Sequence, residues 1–284
     1  MKKQKAIIVD GHNFLFRGFY GVPVQVKRPD GTPINAVYGF FSLLRAALQD
    51  VNPDYLVVVF DTETSADAKK QLNPKYKANR VIEDTTIFFQ LSLIKKCLDI
   101  MGVSWVEDVS HEADDVIGTY SKKFTKHGVE VYICSNDHDF IQLIHDDVFV
   151  LRGMRGSVEK YDHEYIVQKV GVTPSQYLDF LALTGDPSDN IKGVKGIGKK
   201  RAAMLLQEYG NLEGMYQLLH TFSPSLKKAL EFQKEELLER RRFLAINTRL
   251  TLYSTGGIKA HALSEKIIPE KMGEFLTKYW VTIL

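Results

Sequence analysis

Tyr55-Leu-Val-Val-Val-Phe60-Asp61 is an apolar run built on three valines, with no polar alternation, that ends directly on a carboxylate. A strand buried on both faces reads this way because it has no wet side, and such strands belong to parallel sheets covered by helices. Lys5 to Val9 runs into Asp10, and Val129 to Cys134 reaches Asp137 three residues later. Between these runs, Ala36 to Gln49, Ile87 to Met101 and Val116 to Phe124 carry apolar residues at helical spacing. The alternation predicts a doubly wound α/β domain, a central and mostly parallel twisted sheet flanked by helices. Ligands of such sheets bind beyond the carboxyl ends of the strands, where Asp10, Asp61 and Asp137 fall. Taken singly, each is as well explained by a turn or an N-cap.

The acids also come in clusters. In His111-Glu112-Ala113-Asp114-Asp115, Glu112 and Asp115 share a helical face with Asp114 beside them, ahead of the apolar Val116 and Ile117. Ser135-Asn-Asp137-His-Asp139 offers two carboxylates from one turn, although Asp139 also suits the start of a short helix from Phe140 to Ile144. Gly185-Asp186-Pro-Ser-Asp189-Asn190 holds two more, with Asx turns as the plain explanation. Gathered in one place, Asp10, Asp61, Glu112, Asp114, Asp115, Asp137, Asp139, Asp186 and Asp189 would repel one another unless cations neutralised them. Oxygen-only ligands favour magnesium or manganese over zinc.

At 284 residues, 44% hydrophobic and 25% charged, the chain can form one large core or a core with a small attached module. No apolar run could span a bilayer, and the lysines after Met1 lead into no signal-like apolar segment, so the expected location is the cytoplasm. Cys97 and Cys134, the two cysteines, read as core residues in a reducing compartment. Of 35 acids, setting nine aside leaves 26 against 37 Lys and Arg, a surplus of 11 positive charges that suits a polyanion or merely solvates the surface.

After Tyr161 the pattern becomes helices joined by Gly-rich turns: Pro174 opens one, Gly198 to Tyr209 forms another, and Leu226 to Asn247 reads as one long amphipathic helix. Gly193-Val-Lys-Gly196-Ile197-Gly198-Lys199-Lys200-Arg201 permits a tight hairpin whose amides and helix N-terminus can take a phosphate. Pro74-Lys75-Tyr76-Lys77-Ala-Asn79-Arg80 sets three cations around one aromatic, which suits base stacking beside a phosphate grip or an ordinary basic helix. Arg17, close after Asp10, is a further phosphate candidate.

In their order, Ile8-Val-Asp10-Gly, Phe60-Asp61, Tyr76-Lys77-Ala-Asn-Arg80, Glu112-Ala-Asp-Asp115, Asp137-His-Asp139, Gly185-Asp-Pro-Ser-Asp-Asn190 and Gly196-Ile-Gly198 resemble the bacterial 5′ nuclease family, over about residues 5 to 210. That family comprises the N-terminal domain of DNA polymerase I and its stand-alone flap endonuclease relatives. The resemblance implies a PIN-like 5′ nuclease fold over residues 1–165, with a helical arch at about 76–100. A helical C-terminal part, 166–284, would carry a helix-hairpin-helix element at about 185–210. It implies metal-dependent hydrolysis of DNA phosphodiesters near junctions in substrates with a 5′ flap, overhang or nick. One metal group corresponds to Asp10, Asp61, Glu112 and Asp114; the other to Asp115, Asp137, Asp139 and Asp189, with Asp186 assisting. Lys77 and Arg80 would grip the scissile phosphate, Arg17 would assist, and Tyr76 would stack on the displaced base. Two or more Mg2+ or Mn2+ ions are implied, and K+ at the turn formed by Gly193, Gly196, Ile197 and Gly198, with Lys199 and Lys200 beside it.

Two departures stand out. Family members carry an Arg after a Thr-Phe or Ser-Phe pair where this chain reads Asp61-Thr-Glu-Thr-Ser-Ala-Asp-Ala-Lys69-Lys70, and His138 stands where Lys is usual. The latter predicts a modest change in pH dependence. The expectation is thus a monomeric 5′-3′ exonuclease and flap endonuclease, alone or as the front of a longer polypeptide. The alternatives are a non-catalytic branched-DNA binding module, against which retention of all nine acids argues, and a metal-dependent RNase of similar sheet architecture.

Overall fold

The computed structural model describes residues 2–79, 84–154, 157–252 and 257–263. Three strands follow the valine-rich runs: β1 (Lys5–Asp10), β2 (Tyr55–Phe60) and, after the edge strand β3 (Ser104–Glu107), β4 (Glu130–Cys134). With β5 (Val148–Met154) and β6 (Ser157–Tyr161) they form a sheet in the order β3-β2-β1-β4-β5-β6, parallel throughout except for the β5–β6 pair. The order reverses between β1 and β4, which puts the topological switch point beyond Asp10. Strands β3, β5 and β6 were not among the sequence expectations.

Strict alternation divides the strand side chains between two cores. Ile7 and Val9, Leu56, Val58 and Phe60, and Tyr132 and Cys134 pack on one face with α1 (Gly11–Gly21), α2 (Asn35–Val51) and α4 (Thr86–Met101). Ala6 and Ile8, Val57 and Val59, and Val131 and Ile133 take the other face, under α5 (Ala113–Lys126). The short α3 (Asp67–Leu72) has no buried residue. Residues 86–100 of the expected arch are the body of α4, whose Ile87, Ile94 and Leu98 lie in the first of these cores; residues 80–83 lie outside the described ones.

The helical C-terminal part continues the core under α5 with α6 (His163–Val170), α7 (Tyr177–Thr184), α8 (Lys199–Tyr209) and α9 (Leu212–Gln217). The single helix expected from Leu226 to Asn247 is instead two, α10 (Pro224–Phe232) and α11 (Lys234–Leu244), parted at Gln233. After the buried Leu230, the positions one turn on are Gln233 and Lys234, so no apolar residue holds a straight helix to the core there. Burial resumes at Leu237 and Leu244.

Between α7 and α8 the chain makes a two-stranded ribbon, β7 (Gly185–Asp186) with β8 (Ile191–Lys192), and then a turn through Gly196. Gly185 (φ +74°) is a required glycine: a Cβ there would meet the Gly193 nitrogen at 2.3 Å. Among the described residues no helix is long and apolar enough to cross a membrane.

Candidate metal centre and nucleic-acid interface

Asp10 ends β1 and caps α1, so its carboxylate is fixed at both oxygens: Asn13 N donates to Oδ1 at 3.0 Å and Ser135 Oγ to Oδ2 at 2.7 Å. The second bond crosses the switch point and ties β1 to the end of β4. From there Ser135 Oγ accepts from Asp137 N (3.0 Å), and Asp137 Oδ1 accepts from Asp139 N (2.9 Å). Asp61, just past β2, accepts from Ala113 N (2.8 Å) and Ser65 Oγ (3.1 Å), which fastens it to the start of α5. His12 accepts the Asp61 N–H at Nδ1 (3.0 Å). Burial pushes the His12 imidazole below its usual pKa against the pull of Asp61, matching a neutral ring with its proton on Nε2.

Glu112 precedes α5 and is enclosed, 3% exposed, by three donors. Lys77 Nζ donates to Oε1 at 2.7 Å, Lys69 Nζ lies 2.5 Å from Oε2, and Tyr76 Oη donates to both oxygens at 3.1 and 3.2 Å. Burial would raise the Glu112 pKa, yet Lys77 and Lys69 hold it below the usual range. Asp114 and Asp115 follow in the first turn of α5, where the helix dipole favours acids. Asp115 turns away to accept Asn247 N at 2.7 Å.

Asp139, Asp186 and Asp189 bring one carboxylate oxygen each to within 4.8 Å of one another. Asp139 opens a short 3-10 turn, Asp139–Leu143, but does not cap it; its Oδ1 is shut off from solvent with no hydrogen-bond partner. Burial, then Asp137, Asp186 and Asp189, pushes its pKa well up. Burial likewise raises Asp10 to about 7, with Asp61 and Asp137 adding to it. Asp114 is raised by desolvation, against Lys77 and with Asp137, Asp10 and Asp61. Carboxylates that raise one another's pKa, all-oxygen donors and one orphaned buried oxygen fit a hard divalent cation.

A cleft of about 630 Å³ leads from Asp137, Asp139 and Asp186 to Lys199 and Lys200. These lysines and Arg201 open α8, where cations oppose the helix dipole, an arrangement that favours an anion. Gly196 (φ +86°) makes the turn, Gly198 caps α8 without a side chain, and both face open space, while Ile197 is buried.

One expected contact differs. Tyr76 is 3% exposed, packs edge-on against Phe243 with ring centres 5.0 Å apart and is pinned by Glu112, so its ring has no free face for a base. Arg17 Nη2 donates to Gly153 O at 2.9 Å, at the end of β5. Arg80 lies outside the described residues. Sequence reasoning missed Ser135, Asn13, Ser65 and Lys69; Ser135 and Asn13 were discoverable as polar residues flanking strand-end acids.

The description "5′-3′ exonuclease, N-terminal resolvase-like domain" matches residues 5–171, and "5′-3′ exonuclease, C-terminal SAM fold" matches residues 172–264. The chain is 34% identical to the 5′-3′ exonuclease of Aquifex aeolicus, over 86% of this chain and 82% of that one. It is 36% identical to the thermostable DNA polymerase I of Thermus thermophilus over 88% of its own length but spans 29% of that polymerase. The fold also matches the bacteriophage T5 flap endonuclease solved with DNA and metal ions, at a TM-score of 0.72 and 21% identity, covering 96% of this chain and 98% of that one. With both halves matched in order and the acids converging on the switch point of the sheet, this chain belongs to the 5′-3′ exonuclease family.

Proposed function

We propose that this chain is a metal-dependent 5′ nuclease, a 5′-3′ exonuclease and flap endonuclease that hydrolyses DNA phosphodiesters near junctions in replication and repair. The observation that carries this reading is the convergence of Asp10, Asp61, Asp114, Asp137, Asp139, Asp186 and Asp189 on one edge of the sheet, joined by a cleft to the basic start of α8. Asp10, Asp61, Glu112 and Asp114 would hold one ion and Asp115, Asp137, Asp139 and Asp189 another, with Asp186 assisting and Mg2+ or Mn2+ the fitting cations. When bound, such ions lower the pKa of an attacking water and stabilise charge on the leaving oxygen.

The protein's own groups do the rest. Lys77, beside Glu112 and Asp114, is placed to neutralise the scissile phosphate as it approaches the acids. Lys199, Lys200 and the turn from Gly193 to Gly198 grip the duplex backbone, with K+ as a candidate ion at that turn. Ser135 and Asn13 hold Asp10 in place, and His12 and Ser65 do the same for the Asp61 segment. Arg80 enters as a second phosphate contact through the family resemblance. This work suits a cytoplasmic monomer.

The test is incubation with a 5′-flap duplex in magnesium, comparing wild type, Asp137→Asn and an EDTA control. Cutting near the junction in wild type with metal alone is expected. Binding without cutting would make the chain a branched-DNA binding module.

A further inference from the structure

Glu112 carries more positive charge than one ion pair requires. Its two oxygens are taken by two different lysines, each at ion-pair distance, and a tyrosine hydroxyl bridges both. The two lysines are not equivalent. Lys77 stands on a backbone turn with φ +53°, a conformation that L side chains rarely adopt, and its amide donates to Asp189 O at 3.3 Å. The charges acting most strongly on Lys77 are those of Asp114, then Glu112 and Asp189, so it lies between the acid groups. Lys69 projects from α3, its Nζ over the rings of Tyr76 (5.7 Å) and Phe243 (5.9 Å), and Glu112 is the first charge it answers.

We propose that Lys69 is a positioning residue: it keeps Glu112 paired and oriented when Lys77 leaves the carboxylate for the scissile phosphate. The inference rests on the metal-centre reading above and adds a role for the segment in which this chain lacks the expected Arg. A buried carboxylate that lost its sole cation would swing or take up a proton. With Lys69 fixed on Oε2, Lys77 can exchange one anion, Oε1, for another, a phosphate oxygen, while Glu112 stays in register with Asp10, Asp61 and Asp114. The aromatic seat of Lys69 favours this division, because Lys69 lies over both Tyr76 and Phe243 whereas Lys77 lies over Tyr76 alone, at 4.8 Å, so Lys69 gives up more contact on leaving.

The test compares wild type, Lys69→Met and Lys69→Arg in two measurements. In flap cleavage, Lys69→Met is expected to lower kcat by about 10–100-fold, the usual cost of losing an outer-shell partner of a metal ligand. KM for DNA should stay within about twofold, and Lys69→Arg should recover most of the rate. In calorimetric titration of the DNA-free protein with Mn2+, Lys69→Met should bind about tenfold more weakly, because Glu112 has lost the partner that holds it in register with Asp10, Asp61 and Asp114. That loss should vanish in a Glu112→Gln background. A rise in KM with kcat unchanged would make Lys69 a DNA contact and overturn the proposal. A Mn2+ affinity unchanged in Lys69→Met, or changed equally in Glu112→Gln, would reduce it to a packing residue and also overturn it. If wild type bound Mn2+ but cut no DNA, the nuclease reading would fail while the titration still decided whether Lys69 acts through Glu112.

Discussion

The two ends of the acid array are built on opposite electrostatic principles. At Glu112 the protein supplies its own counter-ions, Lys69 and Lys77, and the carboxyl pKa sits below its usual range despite burial. At Asp139 and Asp186 no lysine or arginine among the described residues makes an ion pair; Asp139 Oδ1 is buried without a partner, and its pKa is pushed up. Glu112 is neutralised as it stands, whereas Asp139, like Asp10 and Asp114, gains stability from a cation brought from outside. A single site thus pairs a self-neutralised anchor with a centre that calls for metal.

The largest expected effect is on catalysis at the second end. Asp139→Asn should lower cleavage on the order of 10³-fold or more, the rate equivalent of the several kcal/mol a metal contributes. The same change should leave the metal-free protein as stable as wild type or more so, because it removes a repelled charge. Thermal unfolding in EDTA checks this, and a clear loss of stability would break the contrast.

Glu112→Gln should behave the other way. It leaves two lysines facing a neutral amide, so unfolding in EDTA should show a loss of about 3 kcal/mol, the cost of breaking a buried pair from one side. If Glu112→Gln and Asp139→Asn shift stability alike, the two ends are not different in kind.

Next in size is the coupling of metal and pH. Asp10, raised to about 7, and Asp114 and Asp139, also raised, bind protons more tightly folded than unfolded. Their contribution to metal-free stability is therefore fully present below the unfolded carboxylate value of about 4 and is lost as pH rises, through about 7 for Asp10 and through their own raised values for Asp114 and Asp139. A divalent ion needs the deprotonated forms, so magnesium should raise Tm little near about pH 5.5 and by several degrees near about pH 8. Equal shifts at both pH values would mean that these carboxyls do not hold the metal.

Smaller effects belong to the periphery. Replacing Lys199 and Lys200 by Ala should weaken DNA binding at all sequences and reduce the slope of log K against log salt by about two, read by anisotropy titration. Tyr76→Phe should cost about 1 kcal/mol of stability, one hydrogen bond to Glu112, with KM for DNA unchanged. A large rise in KM would restore the base-stacking role that its burial opposes.

Much of this was legible in the chain. Valine-rich runs without alternation gave the three central strands because a doubly buried strand has no polar face to disguise it, and the acids after β1 and β2 marked the carboxyl edge. The four-residue edge strand β3 was hidden by its partial exposure, and the bend at Gln233 by an apolar repeat that skips it. Tyr76 misled because an aromatic among cations looks the same whether it stacks on a base or packs on Phe243. Lys69 escaped because its partner Glu112 lies 43 positions away, and only the fold brings them together.

The most direct measurement is anomalous diffraction from crystals soaked in manganese. The account predicts a strong peak bounded by Asp139, Asp186 and Asp189, on the side of the orphaned Asp139 oxygen. Density confined to Glu112, or no peak among these acids at a manganese concentration that supports cleavage, would contradict it.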